Sequence, residues 1–264
     1  MNLKFLSIKR PLLLFILLLI PGTAFTQDYS RPLLHLNWLI TDPINLVANT
    51  NGAYIYWNAG IIGTGYLASL PDDFTRDFIQ ENWNSDGWMS FYEFADSFGE
   101  EYPIYLSAGL YSLGTAYGNT KLQDAAFTSI QSRFYVKNLT RMYKQVAGRT
   151  RPNSTDDNRD FSFFSGEESF PSGHTSGAFA VMSPWFFYYP RWYTALLFAA
   201  PIATGIARIG QDKHWTSDVL AGAALGTCTG YYLTKLHQSQ DHNNMVVIPV
   251  IGTNNVGIQF SLQL

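Results

Sequence analysis

Three short blocks of this chain carry side chains suited to holding an oxyanion and moving protons around it. The middle block, Phe170-Pro171-Ser172-Gly173-His174-Thr175, opens the apolar run Gly177-Ala178-Phe179-Ala180-Val181-Met182. This pattern reads as a loop entering a helix N-terminus. The amides of Ser172, Gly173 and His174 would lack intrahelical partners there, and the helix dipole favours negative charge. Gly173 permits close backbone approach. Upstream stands Lys144-Gln145-Val146-Ala147-Gly148-Arg149-Thr150-Arg151-Pro152, and downstream Arg208-Ile209-Gly210-Gln211-Asp212-Lys213-His214-Trp215-Thr216-Ser217-Asp218. Together they add three cations and a second His. Lys144 offers a point charge, while Arg151 and Arg208 offer planar forks that match phosphate oxygens. His214 and Asp218 are one helical turn apart if a helix starts there, so the carboxylate can orient the imidazole.

At these residues the sequence resembles the type 2 phosphatidic acid phosphatase superfamily, which also contains bacterial acid phosphatases and vanadium haloperoxidases. The family pattern is a Lys separated by six residues from Arg-Pro, then Pro-Ser-Gly-His, then Ser-Arg with five residues to a His and three more to an Asp. All three blocks occur here in that order and at that spacing, with one departure, Ala207 in place of the Ser before Arg208. That change removes a hydroxyl beside the phosphate but no charge or proton-transfer group. The resemblance implies that His214 attacks phosphorus to form a phosphohistidine and that Asp218 holds its tautomer. His174 would protonate the leaving oxygen and then activate water. Lys144, Arg151, Ser172, the Gly173 amide and Arg208 would bind the phosphate oxygens, with no metal and no cofactor. Elementary chemistry agrees: phosphoryl transfer needs positioning and electrostatic stabilisation of the equatorial oxygens, and a neutral imidazole is a competent nucleophile.

Composition bounds the setting. At 264 residues the chain can bury a full core as one domain. Charged residues are 14% and aromatics 16%, against roughly 25% charged in soluble domains, which points towards a membrane surface. A net charge of -3, with no extended basic region, argues against nucleic acid as a partner. The single Cys228 excludes an intrachain disulfide and a Cys-based zinc site, and its apolar, Gly-rich neighbours make it a small core residue.

Four regions follow from the chain in order: a signal peptide over 1–26, an N-terminal loop and helical region over 27–102, the catalytic helical core over 103–240, and a C-terminal β-hairpin over 241–264. Lys4, Lys9 and Arg10 precede about ten apolar residues and a small-residue exit, the form of an export signal. Residues 28–70 show poor periodicity and predict a loop and then a short helix, with His35 a lone structural or surface residue. Asn82–Glu93 fits the calcium-loop spacing except for Asn at the first ligand; a turn joining two helices is the preferred reading. A long helix is predicted from Leu122 to about Val146, with Leu122, Ala126, Ile130 and Phe134 as its core stripe. Arg133, Lys137, Arg141 and Lys144 form a second stripe, either a solvated face or a basic approach for anionic head groups.

Loop composition over 153–170 places an acidic segment at the pocket mouth, where Phe161, Phe163 and Phe164 would touch a lipid chain or anchor the loop. The aromatic run Trp185–Tyr193 suits a bilayer interface, and Trp192–Ile209 is about long enough to cross one, with Pro201 as a kink. Gly222, Gly226 and Gly230 form a small-residue ridge for close helix packing. His237 and His242 read as linker residues. Val246–Ile251 and Val256–Leu262 flank an Asn/Gly turn and predict the hairpin.

The fold class expected is therefore all-α, a helical bundle of the phosphatase family type with a small C-terminal β-hairpin. The function expected is metal-independent hydrolysis of a lipid phosphomonoester or pyrophosphate. Phosphatidic acid, phosphatidylglycerol phosphate, a polyprenyl pyrophosphate and lipid A are the substrate types, acted on by a protein exported to the periplasm or cell envelope and associated with the membrane. The rivals are a soluble periplasmic acid phosphatase acting on small phosphate esters, a vanadium haloperoxidase, and a non-catalytic lipid-phosphate binder.

Overall fold

A computed structural model describes residues 30–48, 50–67, 69 and 71–240, and the backbone of 245–251 and 256–262. The predicted signal peptide, His242 and the turn at 252–255 lie outside the described residues. The helices are α1 (Ser30–Ala48), α2 (Ala53–Leu67), α3 (Asp72–Asn82), α4 (Asp86–Asp96), α5 (Tyr102–Ala116), α6 (Thr120–Ala147), α7 (Gly173–Tyr188), α8 (Ala199–Gly210) and α9 (Thr216–Gln240). Through residue 240 the architecture is all-α, as expected. Beyond it, Met245–Ile251 and Val256–Leu262 are extended.

The bundle is built on α6, α7 and α9, which pack on one another along their lengths. Helix α6 starts where the Asn119 side chain accepts the Leu122 N–H, a side-chain cap for an otherwise unpaired donor. It stops at Gly148, whose φ of 54° is the left-handed conformation that ends helices most cheaply at glycine. The glycine ridge of α9 lies against α7: a Cβ on Gly222 would stand 2.7 Å from the Ser172 carbonyl oxygen, and one on Gly226 would meet the backbone at Ser176 and Ala180. Replacing Gly226 with Val should therefore push α7 and α9 apart and lower stability by about 1–3 kcal/mol, the usual cost of overpacking. A thermal melt reads this directly, and an unchanged midpoint would show that the helices can separate without loss.

Several expectations are corrected. Within 28–70, Ser30–Ala48 and Ala53–Leu67 are two full helices, not a loop and a short helix. The periodicity is hidden because α1 is inverted: His35, Trp38, Asp42 and Leu46 are buried, whereas Leu36, Ile40 and Ile44 face outward, Ile44 at 72% exposure. His35 Nε2 lies 2.8 Å from Asp124 on α6. His237 is no linker residue, because α9 runs on to Gln240 and buries it between Asp42 (2.7 Å) and Thr128 (2.7 Å). The predicted core stripe of α6 is also displaced. Phe134 is 57% exposed, and the interior face carries Thr128, Ser129, Ser132, Val136 and Thr140. A helix at the centre of a close-packed bundle is lined with small hydroxyl residues that bond neighbouring backbone, as Ser129 Oγ donates to the Val181 carbonyl at 2.6 Å. Pro201 kinks nothing. It stands in the first turn of α8, after a 3₁₀ segment over Trp192–Phe198, where its missing N–H leaves no bond unmade. Asn82–Glu93, by contrast, is the end of α3, a turn over 83–85 and the start of α4, the helix-joining turn of the preferred reading.

Candidate active site

The three blocks are tied together by backbone. Ser172 N–H donates to the Asp218 carbonyl at 3.0 Å, joining the middle block to α9, and Ser169 N–H donates to the Arg149 carbonyl at 3.0 Å, joining it to the segment after α6. Trp215 Nε1 donates to the Thr150 carbonyl at 3.0 Å, closing the triangle. Ser172 is the N-cap of α7 and is fully buried, with its hydroxyl 3.0 Å from Thr175 Oγ1. Gly173 and His174 open the helix. A Cβ on Gly173 would stand 4.0 Å from Lys144 Cε, so the end of the Lys144 side chain lies beside the first turn of α7.

Electrostatic coupling brings the cations to the same place. Burial, and then the charges of Arg151 and Arg208, lower Lys144 to about 8. Its Nζ donates to the Glu168 carbonyl at 2.6 Å. Arg208, on the last turn of α8, donates to Asp96 at 2.8 Å and to Gln211 Oε1 at 3.3 Å. His174 lies beside Gly99. Burial and the nearby Arg208 lower it to about 4, against the opposing pull of Asp96. The affinity for inorganic phosphate should therefore fall as pH rises through about 8, where Lys144 loses its charge while phosphate stays dianionic. Calorimetric titration from pH 7 to 10 tests this; an affinity flat across that window would place Lys144 outside the contact set.

His214 sits in the turn between α8 and α9, with its N–H on the Arg208 carbonyl at 3.2 Å. It is buried, and burial lowers it to about 4 despite the adjacent Asp218. Its Nδ1 is 3.5 Å from Asp218 Oδ2, at the limit of a hydrogen bond and without a partner of good geometry. The contact is therefore an electrostatic one, and the carboxylate favours a proton on Nδ1. With the proton on Nδ1, Nε2 keeps its lone pair for chemistry. Burial would raise the Asp218 carboxyl, but His214, Arg149 and Ser169 hold it below the ordinary carboxylate range.

All eight residues singled out from sequence lie within these interlocked segments. The structure adds four that the sequence reading missed: Arg149, Asp72, Ser169 and Asp96. Arg133, assigned to a stripe of surface cations, turns inward, against Gly177 and within reach of the Gly99 carbonyl at 3.4 Å. Of the three loop phenylalanines, Phe161 anchors by packing on Phe170 and under the Arg149 guanidinium, while Phe163 and Phe164 are exposed. Cys228 is partly buried beside the core, and its thiol is pushed up to about 12 by burial. Among the described residues no group of three His, Cys, Asp or Glu is placed to hold a metal ion.

A helical bundle whose α7 N-terminus faces Lys144, Arg208 and a His–Asp pair defines a class. Residues 125–241, which hold all three blocks, match the family model of the PAP2 superfamily. Among curated proteins it is similar to a lipid A 1-phosphatase of Porphyromonas gingivalis, 37% identical over 99 residues, which is 35% of this chain and 20% of that protein. It is also similar to a lipid A 1-phosphatase of Rhizobium etli, 39% identical over 93 residues, 33% of this chain and 40% of that protein. The chain thus spans less than half the length of the curated relatives it matches. Among solved structures it resembles that of Aquifex aeolicus LpxE, with a TM-score of 0.45 and 20% identity, over 61% of this chain and 93% of the other.

Proposed function

We propose that this chain is a phosphatase acting on a phosphorylated lipid through a phosphohistidine on His214. The observation that carries the reading is the convergence of Lys144, Arg208 and the α7 N-terminus on a buried His–Asp pair. In this reading the phosphate oxygens lie among Lys144, Arg151, Arg208, Ser172 and the Gly173 amide. His214 Nε2 attacks phosphorus in line with the leaving oxygen, which takes its proton from His174, once the charge of the bound phosphate has raised that imidazole from about 4. Water then attacks the phosphohistidine while His174 takes its proton, which returns both imidazoles to their starting states. The Gly173 amide and the cations stabilise the equatorial charge, with no metal in the scheme.

The lipid is supported by two features. Lipid A 1-phosphatases are among the relatives, which makes a lipid A type phosphomonoester the first substrate to try. The outer faces of α1, α2 and α5 are also apolar, with Ile40, Trp57 and Leu106 each more than half exposed. Among the described residues one stretch, Trp192–Gly210, is long and apolar enough to cross a membrane. Such surface suits contact with a bilayer, in keeping with export to the periplasm or cell envelope through the predicted signal at 1–26. The same reading keeps 103–240 as the catalytic core and 27–102 as a region packed onto it. It also takes the C-terminal runs, Met245–Ile251 and Val256–Leu262, as a hairpin.

The test is phosphate release by the purified protein, with EDTA, from lipid A, phosphatidic acid, a polyprenyl pyrophosphate and p-nitrophenyl phosphate. Lipid turnover well above that of p-nitrophenyl phosphate is the expected result. The reverse order would favour a soluble acid phosphatase, and no release from any of the four would sink the reading.

A further inference from the structure

The buried charges behind the nucleophile reach beyond the three blocks. Arg149 is 0% exposed. Its Nη1 donates to Asp218 Oδ1 at 2.6 Å and to Ser217 Oγ at 2.7 Å, and its Nη2 donates to Asp72 Oδ2 at 2.8 Å and to the Asn158 carbonyl. Its guanidinium also lies over the rings of Phe161 and Trp215. A cation so enclosed cannot reach a phosphate. Asp72, at the start of α3, is likewise 0% exposed, and its Oδ1 accepts the Ser217 N–H at 2.8 Å while its Oδ2 accepts the Ser217 hydroxyl. It therefore caps the first turn of α9, the turn that carries Asp218, from a different helix.

We infer that Asp72 and Arg149 are positioning residues that set the orientation and proton affinity of His214 through Asp218. The inference rests on the phosphatase reading for its kinetic consequence, though not for its physical one. Arg149 occupies Oδ1 of Asp218, while Ser169 Oγ (2.5 Å) and Trp215 N–H (3.0 Å) occupy Oδ2. Asp218 is thus fixed on three sides, and the 3.5 Å gap to His214 Nδ1 is set by its partners. One cation between two carboxylates also makes the pocket electrostatically sensitive. The charges facing His214 are Asp218 from α9, Arg208 from α8 and Lys144 from α6, and those facing Asp218 are Arg149, His214 and Lys144. Asp72 acts on both through Arg149. It lies outside the residues that match the family model, 125–241, so part of the site's control comes from the N-terminal region of the chain.

Removing either member changes the field with opposite sign. Arg149→Met deletes a positive charge, so Asp218 and His214 bind protons more readily and the acid limb of kcat/KM moves to higher pH. Asp72→Asn deletes a negative charge while its amide oxygen still accepts the Ser217 N–H, so the limb moves to lower pH. Each shift should be about one pH unit, the size produced by a close charge. The rate of the Met variant should fall about 10²-fold in kcat with little change in KM, and Arg149→Lys should recover most of it.

The test is ¹³C NMR titration of the His214 ring in the purified full chain, which needs no turnover, run beside the kinetic pH profile. Midpoints that move in opposite directions in Arg149→Met and Asp72→Asn are the expected result. Midpoints unmoved in both, with lowered melting temperatures, would reduce the network to scaffolding and overturn the inference. Should Arg149→Met fail to fold, Asp72→Asn alone decides: a His214 midpoint moved to lower pH supports the inference and an unmoved one overturns it. Moved midpoints without turnover on any substrate would leave the positioning role standing and the phosphatase reading lost; unmoved midpoints with normal turnover would do the reverse.

Discussion

Replacing His214 with Ala is expected to cut phosphate release by about 10⁶-fold, the scale seen when a nucleophile acting with its partners is removed. The loss should fall on kcat, because the phosphate-binding groups remain: Lys144 beside Gly173, Arg208 on Asp96, and the α7 N-terminus. The variant should still bind vanadate or phosphate, whereas a protein with a purely binding role would be unaffected in function. Trapping sharpens the result. Brief mixing with ³²P-labelled substrate and alkaline quenching should give a base-stable, acid-labile label on the wild type and none on the variant. His174→Ala should retain the label and hold it longer, since the water that releases it has lost its base. Full labelling of the His214 variant would move the nucleophile elsewhere.

The site was legible to the extent that chemistry restricts residue types. Lys144, Arg151, the Ser172–His174 turn, Arg208, His214 and Asp218 stand in three blocks at the spacings of the phosphatase family they resemble. Arg149, in contrast, stands in the first block but looked like one more residue between Lys144 and Arg151. Its partners Asp72 and Asp218 are 77 and 69 positions away, on helices whose approach no local pattern encodes. Asp96 is 112 positions from Arg208 for the same reason. The fold shows the same division. The boundaries of α6 were readable from Asn119, Gly148 and the intervening composition. Helix α1 was not, because His35 and Asp42 point inward beside Trp38 and Leu46 while Leu36, Ile40 and Ile44 point outward, which defeats a rule written for helices surrounded by water.

Replacing Arg208 with Ala is the second large effect expected, about 10²- to 10³-fold in kcat/KM. Two terms combine in it. A guanidinium that would face the equatorial oxygens is lost, and the Asp96 carboxylate it holds at 2.8 Å is left facing the incoming phosphate. The first term acts on kcat and the second on KM. Removing Asp96 as well should therefore restore much of the KM and little of the kcat, a non-additivity that a double-mutant cycle measures. Arg208→Lys should recover charge without the fork and fall between the two. Additive losses in the cycle would separate Asp96 from the binding of phosphate.

The backbone bonds Ser172 N to Asp218 O, Ser169 N to Arg149 O and Trp215 Nε1 to Thr150 O make the site a truss. This has a consequence for how such a site can diversify. Length can change freely between the joints, as in the exposed stretch around Phe163 and Phe164, where a longer or shorter loop leaves every joint in place. Inside a block, one inserted residue would move a joint and displace several reactive groups at once. Recruitment to a new substrate should therefore proceed by remodelling the span between Arg151 and Ser169, while transplanting the chemistry to another scaffold would require all three blocks to travel together.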